Sequence, residues 1–255
     1  MLGTYLEVQG LCKRFGGLQA LDDCSFAIES GRITCLVGPN GAGKTTIFNA
    51  ITGFLKLDAG SVNFLSQSLV GLSPQEIVQA GIARTFQNLR LFLELTVLDN
   101  LLVAMPAQFG EEPLGAIFRP WTTRRLGRDR LNAALQLLEL VGLEGRAYDV
   151  VRNLSYGEQK LLSIGRVLAT GAALLLLDEP ASGLDEGALD TAMALLRELR
   201  AKGKTLLVVE HNTRVVQQIA DEVLFLHQGH LMARGTPEQI ISDPALAEIY
   251  FGGVI

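Results

Sequence analysis

The sequence predicts an α/β protein with a mostly parallel sheet, an antiparallel β subdomain and an inserted α-helical subdomain. Three short apolar runs predict buried strands of the parallel sheet, and they cover residues 33–37, 173–177 and 205–209. Such runs lack the polar alternation of half-exposed strands and are typical of strands with helices on both faces. Because the pattern is helical from residue 89 to about 170, we expect residues 88–160 to interrupt a core formed by 1–87 and 161–255.

The N-terminal region predicts two antiparallel strands. Residues 5–28 alternate between apolar and polar side chains, and Gly16 and Gly17 mark the turn between the strands. Phe15 stands beside this turn, where its ring is either ordinary packing or a platform for a flat base. The spacing alone favours packing.

A glycine-rich stretch follows the first apolar run and matches the phosphate-loop pattern G-x-x-x-x-G-K-[ST] in full. A helical pattern starts at its end, so the loop amides and the helix N-terminus converge on one point and attract an anion there. Lys44 can reach the β- and γ-phosphates of a nucleotide, and the Thr45 hydroxyl can ligate Mg²⁺. The alternative is a strand–helix turn that binds nothing. The residues predicted to bind nucleotide are Gly38, Pro39, Asn40, Gly41, Ala42, Gly43, Lys44, Thr45 and Thr46.

Capping and turn signals predict the remaining elements. Short polar residues precede most of the predicted helices and would accept hydrogen bonds from their first amides. The predicted N-caps are Ser73, Thr96, Asp185, Thr236 and Asp243. Strands are expected at about 60–64, 82–86 and on both sides of residues 228–229, a loop at 106–121 and a further helix at about 122–141.

Two acids, Asp178 and Glu179, end the second apolar run. In an open parallel sheet ligands bind at the carboxyl ends of the strands, so these acids should face the phosphate loop. Asp178, level with the strand end, suits Mg²⁺ held through water, and Glu179 suits the general base that orients an attacking water. The alternative is a pair of acids that merely cap a strand at the solvent edge.

Gln87 and His211 each follow an apolar strand and can reach the same end of the sheet. A neutral histidine can donate one hydrogen bond to a γ-phosphate, and a glutamine amide can ligate Mg²⁺ or hold a water. Taken alone, either residue is also compatible with an ordinary polar position at a strand end.

A second candidate anion site lies at the start of the helix predicted for residues 158–170. Ser155 and Gly157 offer a hydroxyl and exposed amides at the positive end of that helix. Two phosphate-binding surfaces on different parts of the chain suggest a nucleotide held between two lobes or between two subunits. A capped helix without a ligand is the alternative.

Composition limits the classes of function. The net charge of −5 over 255 residues gives no general attraction to nucleic acid. No stretch reaches the roughly 18–20 uncharged apolar residues of a membrane-spanning helix, and the N-terminus predicts no signal peptide. The three cysteines, which form no C-x-x-C pair, are expected to be buried, reduced thiols.

Together these motifs resemble the nucleotide-binding subunits of ATP-binding cassette (ABC) transporters, which are P-loop NTPases with a RecA-like core. The resemblance covers nearly the whole chain and implies an ATPase that binds ATP and Mg²⁺, with Thr45, Gln87 and Asp178 at the metal and Glu179, Gln87 and His211 at the reacting phosphate. It also implies that Phe15 stacks on adenine and that Asp185 lies at the seam of a dimer. Residues 154–158, here called the signature segment, would contact the ATP of the second copy through Ser155, Gly157 and Glu158.

The implied partners are a second ATP-binding subunit (itself or a paralogue), two transmembrane permease subunits and a periplasmic or extracellular substrate-binding protein, with no nucleic acid. The chain would lie at the cytoplasmic face of the membrane as a peripheral subunit. Gln87 and the helical subdomain would receive the permease. An apolar group near Gln87 is either part of that dock or core between the lobes: Leu89, Leu91, Phe92 and Leu95.

Two residues depart from the family pattern: Tyr156 replaces the first signature glycine, and Glu158 replaces the usual glutamine. We expect the amide cradle to survive, because a helix N-terminus tolerates a residue with a side chain.

Segments 13–21, 84–88 and 249–252, with the signature segment, resemble most closely the branched-chain (hydrophobic) amino-acid uptake branch, whose relatives import urea and short amides. The expected function is therefore the ATPase motor of an importer. Alternatives are the same motor with urea, amide or lipid cargo, and a soluble ABC ATPase that acts on DNA or ribosomes.

Overall fold

A computed structural model describes residues 4–106 and 120–251 and divides them into two compact units. Within the described residues, the first unit takes in the chain up to Arg84, Ala173–Ser182 and the chain from Asp190 onward. The second unit takes in Thr85–Ala172 and Gly183–Leu189. The segment 88–160, expected to form the helical subdomain, lies within this second unit.

The described part of the first unit contains ten strands, which form two sheets. They are β1 (Thr4–Phe15), β2 (Leu18–Glu29), β3 (Ile33–Val37), β4 (Ala59–Phe64), β5 (Gln67–Ser68), β6 (Ile82–Arg84), β7 (Leu174–Asp178), β8 (Thr205–Val209), β9 (Glu222–His227) and β10 (His230–Gly235).

The larger sheet has the order β10-β9-β3-β8-β7-β6 and is parallel except for β10. Strands β3 and β8 coincide with two of the apolar runs, and β7 is the third run shifted by one residue, so that it ends at Asp178. Every residue in these three strands is buried. The mostly parallel sheet is therefore confirmed. The edge strand β6 ends at Arg84, two residues earlier than the sequence predicts.

The smaller sheet is antiparallel, with the order β2-β1-β4-β5. Phe15 pairs with Leu18 across the predicted glycine turn. Side chains from both sheets and from the helix after β3 meet in one hydrophobic core, which includes Leu36, Phe48, Phe64, Leu176 and Leu224. This core fixes the helix that starts at the phosphate loop against the ends of β3 and β7.

The described helices are α1 (Lys44–Ile51), α2 (Pro74–Ala80), α3 (Val97–Ala104), α4 (Pro120–Leu140), α5 (Tyr156–Ala169), α6 (Glu186–Ala201), α7 (Thr213–Ile219), α8 (Pro237–Ile241) and α9 (Pro244–Phe251). The side chains of Ser73, Thr96 and Thr236 accept the hydrogen bonds predicted of N-caps. Among the described helices, none combines the length and apolarity needed to cross a membrane.

Two helix starts differ from the sequence prediction. Helix α4 begins at Pro120, within the span 106–121 that was expected to be a loop; residues 107–119 of that span lie outside the described residues. Proline is favourable at a first helical position because it lacks the amide hydrogen that would stay unpaired there. Helix α5 begins at Tyr156 rather than residue 158, because Ser155 is its N-cap.

In the second unit, α3, α4 and α5 pack closely. A Cβ atom on Gly165 of α5 would lie 3.3 Å from Leu101 of α3 and 3.5 Å from Val141 at the end of α4. Ala134, Leu138 and Val141 are buried on one side of the α4 segment.

Candidate nucleotide site

The phosphate loop connects β3 to α1, and two of its glycines are required by close backbone contacts. Gly38 has φ 151°, and a Cβ there would lie 2.0 Å from the carbonyl oxygen of Leu226. Gly43 has φ 109°, and its Cβ would lie 2.7 Å from the carbonyl oxygen of Ala20. The loop thus rests against β2 and β9, and no residue with a side chain fits at either position without moving one of them.

The first turn of α1 is built to receive an anion. Gly43 is the N-cap residue, in a left-handed conformation, and it makes no side-chain capping bond. The amides of the first helical turn have no intrahelical acceptor, so they are donors available to a phosphate at the positive end of the helix. Thr45 is exposed in this turn, which suits a hydroxyl that meets a ligand.

Lys44 lies over the phosphate loop. Its Nζ atom donates hydrogen bonds to the carbonyl oxygens of Gly38 at 2.6 Å and Pro39 at 2.9 Å. Burial lowers the pKa of this ammonium group, and the negative charges of Glu179 and Asp178 act in the opposite direction. The charges of the predicted acid pair therefore act on the predicted phosphate-binding lysine.

Asp178 is the last residue of β7 and is buried. Its Oδ2 atom accepts a hydrogen bond from an Nη atom of Arg84 at 3.4 Å. Burial raises the pKa of the Asp178 carboxyl group, while Arg84 and Lys44 oppose that rise. A carboxylate in such surroundings gains from a nearby cation, because desolvation disfavours its charged form.

Glu179 has a left-handed backbone conformation, with φ 48°. Its amide donates to the carbonyl oxygen of Val209 at 2.9 Å, and its carbonyl oxygen accepts from the amide of Ser182 at 3.2 Å. A left-handed residue with a side chain is uncommon, and such residues concentrate at functional sites. The turn places Oε1 of Glu179 3.6 Å from Nδ1 of His211, which follows the neighbouring strand β8. The fold therefore brings the predicted base and the predicted γ-phosphate donor together.

Sequence reasoning assigned no role to Glu210, which is completely buried. Its carboxylate accepts from the amide of Ala181 at 3.0 Å and from the amide of His211 at 3.3 Å. Glu210 thereby ties the turn after β7 to the turn after β8, where Glu179 and His211 lie. The available signal was a single acid between a fully apolar run and a histidine.

Phe15 is 48% exposed, and the Nζ atom of Lys13 lies 5.6 Å from the centre of its ring. The spacing had favoured packing, but the ring is not part of the buried core. A half-exposed ring at the tip of the β1–β2 turn offers a flat face to a ligand.

In the second unit, the signature segment starts α5. Ser155 and Glu158 form a capping box: the Ser155 hydroxyl accepts from the Glu158 amide at 3.2 Å, and the Glu158 carboxylate accepts from the Ser155 amide at 2.7 Å. Glu158, a departure from the family pattern, therefore stabilises the helix start. A Cβ on Gly157 would lie 2.9 Å from Cβ of Ala188, so a larger residue does not fit there.

Tyr156 takes the first helical position of α5, and its ring covers Gly183, where a Cβ would lie 3.1 Å from the tyrosine Cε1. Asp185 is exposed, and its Oδ1 atom accepts from the amide of Ala188 at 2.9 Å at the start of α6. Gln87 is also exposed and belongs to this unit, three residues beyond the end of β6. The phosphate loop, Asp178, Glu179 and His211 belong to the first unit.

A complete phosphate loop on a parallel sheet, with an acid pair at a strand end and a lysine whose charge these acids influence, defines a P-loop nucleoside triphosphatase. Residues 21–182 match the sequence model of the ABC transporter family. The chain is 40% identical over 248 residues to the high-affinity branched-chain amino acid transport ATP-binding protein LivG of Escherichia coli, with 97% of each chain covered.

Two solved structures extend this likeness. A nucleotide-free ATP-binding cassette from an ABC transporter superposes with a TM-score of 0.85 at 34% identity, covering 98% of this chain and 100% of that one. The dimeric structure of a post-hydrolysis ATP-binding cassette bound to ADP and phosphate superposes with a TM-score of 0.74 at 26% identity, covering 91% and 98%. The chain belongs to the ABC transporter family and is one of its ATP-binding cassette ATPases.

Proposed function

We propose that this chain is the ATP-hydrolysing subunit of an importer for branched-chain or other hydrophobic amino acids. The observation that carries the hydrolytic part is the approach of Glu179 and His211 at the end of the strand pair β7–β8, together with the influence of the Glu179 charge on Lys44. The similarity to LivG along almost the whole chain supports the cargo.

The residues of the first unit divide the chemistry of hydrolysis among them. The loop amides and Lys44 hold the β- and γ-phosphates, and Phe15 stacks on the adenine. Glu179 orients a water molecule and accepts its proton as the water oxygen bonds to the γ-phosphorus and the bond to the bridging oxygen of ADP breaks. His211 donates a hydrogen bond to a γ-phosphate oxygen, where negative charge is concentrated.

The oxygen donors at this site fit Mg²⁺. The exposed Thr45 hydroxyl and the buried Asp178 carboxylate are hard ligands, and Mg²⁺ in nucleotide sites takes only one or two carboxylates besides phosphates and waters. We assign its protein contacts to Thr45, Asp178 and Gln87, with Asp178 acting through water. When bound, the ion would neutralise part of the negative charge of the phosphates.

We further propose that two copies, or this chain and a paralogue, close on two ATP molecules. Ser155, Gly157 and Glu158 would then face the γ-phosphate bound to the other subunit, and Asp185 would lie at the seam. The exposed, capped start of α5 supports this role, since its amides are donors at a helix N-terminus. The dimeric cassette with ADP and phosphate is a precedent for the arrangement.

The assembly that we propose contains two transmembrane permease subunits and a substrate-binding protein outside the membrane. This chain lies at the cytoplasmic face as a peripheral subunit, and Gln87 and the helical segment receive the permease. Phe92 and Leu95 are exposed in the second unit and are candidates for that contact.

The hydrolytic role is tested by Glu179→Gln, with phosphate release and light scattering as readouts. The amide can still hydrogen-bond but cannot accept the proton, so turnover should fall by about 10²–10³-fold, the usual cost of one well-placed transition-state group. ATP binding should persist, with ATP-dependent dimers accumulating. Glu198→Gln is the matched control, because Glu198 is an exposed acid of α6 that pairs with Lys202, just beyond the end of that helix. Near-normal turnover in Glu179→Gln would exclude Glu179 as the base.

The cargo is tested by uptake of labelled leucine in cells that lack the gene, with restoration by the wild-type chain but not by Lys44→Ala. Leucine uptake that depends on the chain supports the proposal. If leucine uptake is unchanged and the uptake of urea or short amides is lost, or lipid transport is defective, the proposed amino-acid cargo is wrong and the affected compound takes its place.

A further inference from the structure

Arg84 connects α1 and β7, the elements that carry Thr45 and Asp178, although nothing in its sequence position assigns it a role there. It is the last residue of β6 and is in register with Leu176 of β7. Residues two apart on a strand share a face, so Arg84 lies on the face of Leu176 and Asp178. Its side chain is only 5% exposed.

The guanidinium group of Arg84 donates hydrogen bonds to the C-terminal end of α1 and to Asp178 of β7. One nitrogen, Nη1, donates to Oδ1 of Asn49 at 2.7 Å and to Oγ1 of Thr52 at 3.3 Å. The other, Nη2, donates to Oδ2 of Asp178 at 3.4 Å. The guanidinium carbon lies 5.6 Å from the ring centre of Phe48, in the same helix as Asn49.

Arg84 also places a positive charge at the C-terminal end of α1. The last turn of α1 contains no basic residue, and Thr52 is its C-cap. A positive charge near the carboxyl end of a helix is stabilising, and Arg84 supplies it from β6. Because α1 begins at Lys44 and Thr45, Arg84 joins the far end of the phosphate-loop helix to the carboxylate at the end of β7.

A purely structural reason for the arginine is weak. A buried ion pair contributes little net stability compared with well-packed apolar residues of similar volume. A planar guanidinium, however, fixes the direction of each partner that it binds. Groups that orient metal-binding carboxylates in this way commonly change metal affinity by about 10–100-fold when they are removed.

We infer that Arg84 is a positioning residue, which holds Asp178 at a fixed place and orientation relative to α1 and thereby sets the affinity of the site for the Mg²⁺ that accompanies ATP. This inference rests on the proposed function only in its assignment of Asp178 to the metal. The inferred role acts through Asp178 and requires no contact of Arg84 with the nucleotide or the reacting phosphate.

The test is the binding of a fluorescent ATP analogue to the full chain over a range of Mg²⁺ concentrations and in excess EDTA. In Arg84→Met, the Mg²⁺ concentration needed for half of the magnesium-dependent gain in binding should rise by about 10–100-fold. Binding in EDTA should stay within about twofold of wild type. Arg84→Lys keeps the positive charge but lacks the planar guanidinium, so its half-effective Mg²⁺ concentration should lie between those of the wild type and Arg84→Met.

Arg234→Met is the matched control, because Arg234 forms an exposed ion pair with Glu222 in the same unit. It should leave both titrations unchanged. An equal loss of binding in Arg84→Met with and without Mg²⁺ would make the role purely structural, and an unchanged Mg²⁺ titration would overturn the inference. If Arg84→Met does not fold, Asn49→Ala removes one partner and should shift the Mg²⁺ titration in the same direction by a smaller factor.

These measurements do not require hydrolysis. A wild-type chain that binds the analogue with Mg²⁺ dependence but releases no phosphate would therefore refute the proposed function and leave the role of Arg84 standing. A normal hydrolytic rate in the wild type, with an unchanged Mg²⁺ titration in Arg84→Met, would support the proposed function and refute the role of Arg84.

Discussion

The substitution Gly38→Ala isolates the closest backbone approach in the phosphate loop. The added Cβ would lie 2.0 Å from the carbonyl oxygen of Leu226, and 3.1 Å from its carbonyl carbon. Since these atoms belong to the backbone of β9, no side-chain rotation relieves the overlap. Either the loop or the strand must move by more than 1 Å, to reach an ordinary contact distance.

The magnitude follows from comparison with Gly41→Ala in the same loop. Gly41 has φ 79°, but a Cβ there meets no atom within 4 Å. That variant therefore carries only the backbone cost of an L-residue in an unfavourable region, about 1–2 kcal/mol. Gly38→Ala carries a similar cost plus an overpacking cost of about 1–3 kcal/mol or more, which gives a total of about 2–5 kcal/mol.

Urea unfolding followed by circular dichroism measures both variants against the wild type. Gly38→Ala should show a clearly lower midpoint than Gly41→Ala, at an unchanged slope. Nucleotide binding should weaken in Gly38→Ala even well below the unfolding transition, because the loop that presents the amides has shifted. Equal midpoints for the two variants would refute the argument that contact with Leu226, and not backbone conformation alone, requires the glycine.

Two further predictions concern the signature segment and the thiols. Ser155→Ala should lower the free energy of unfolding by about 1 kcal/mol, because the N-cap is lost. Ser155→Asp should keep the cap but place a negative charge at the proposed γ-phosphate contact, so ATP-dependent dimers should be lost without a loss of stability. Dimers of Ser155→Asp that persist in light scattering would contradict the proposed contact. Burial raises the pKa of Cys24 to about 12, so at pH 8 this thiol should stay almost entirely protonated and react with maleimide only after unfolding. The partly exposed Cys12 should react first. Mass spectrometry that finds Cys24 labelled in the native protein would contradict the packing.

Much of the fold follows from local patterns in the sequence. The apolar runs at β3, β7 and β8 predict a buried parallel sheet because continuous apolar runs are typical of strands that helices cover on both faces. The N-caps at Ser73, Thr96 and Thr236 are local as well, since each donor lies three residues from its acceptor. Strand ends and helix starts deviate by about two residues, because packing and capping geometry decide them.

The site residues were accessible to sequence reasoning where a motif has its own local physics, as in the phosphate loop and the capped start of α5. Residues that act across the fold were missed. Arg84 meets Asn49 and Asp178, which are 35 and 94 positions away in the chain. Glu210 meets Ala181, which is 29 positions away. Nothing in the neighbouring sequence marks such partners.

The sequence by itself determined that this chain has a phosphate loop, two acids at a strand end and a second capped helix start with the same preference for anions. These are consequences of hydrogen-bonding groups and conformations within a few residues. Only the tertiary structure decided that Glu179 turns toward His211, that Glu210 fixes both of their loops, and that Arg84 joins Asp178 to α1. Those relations depend on strand register and on the packing of α1 over the sheet, which bring together residues that the chain keeps far apart.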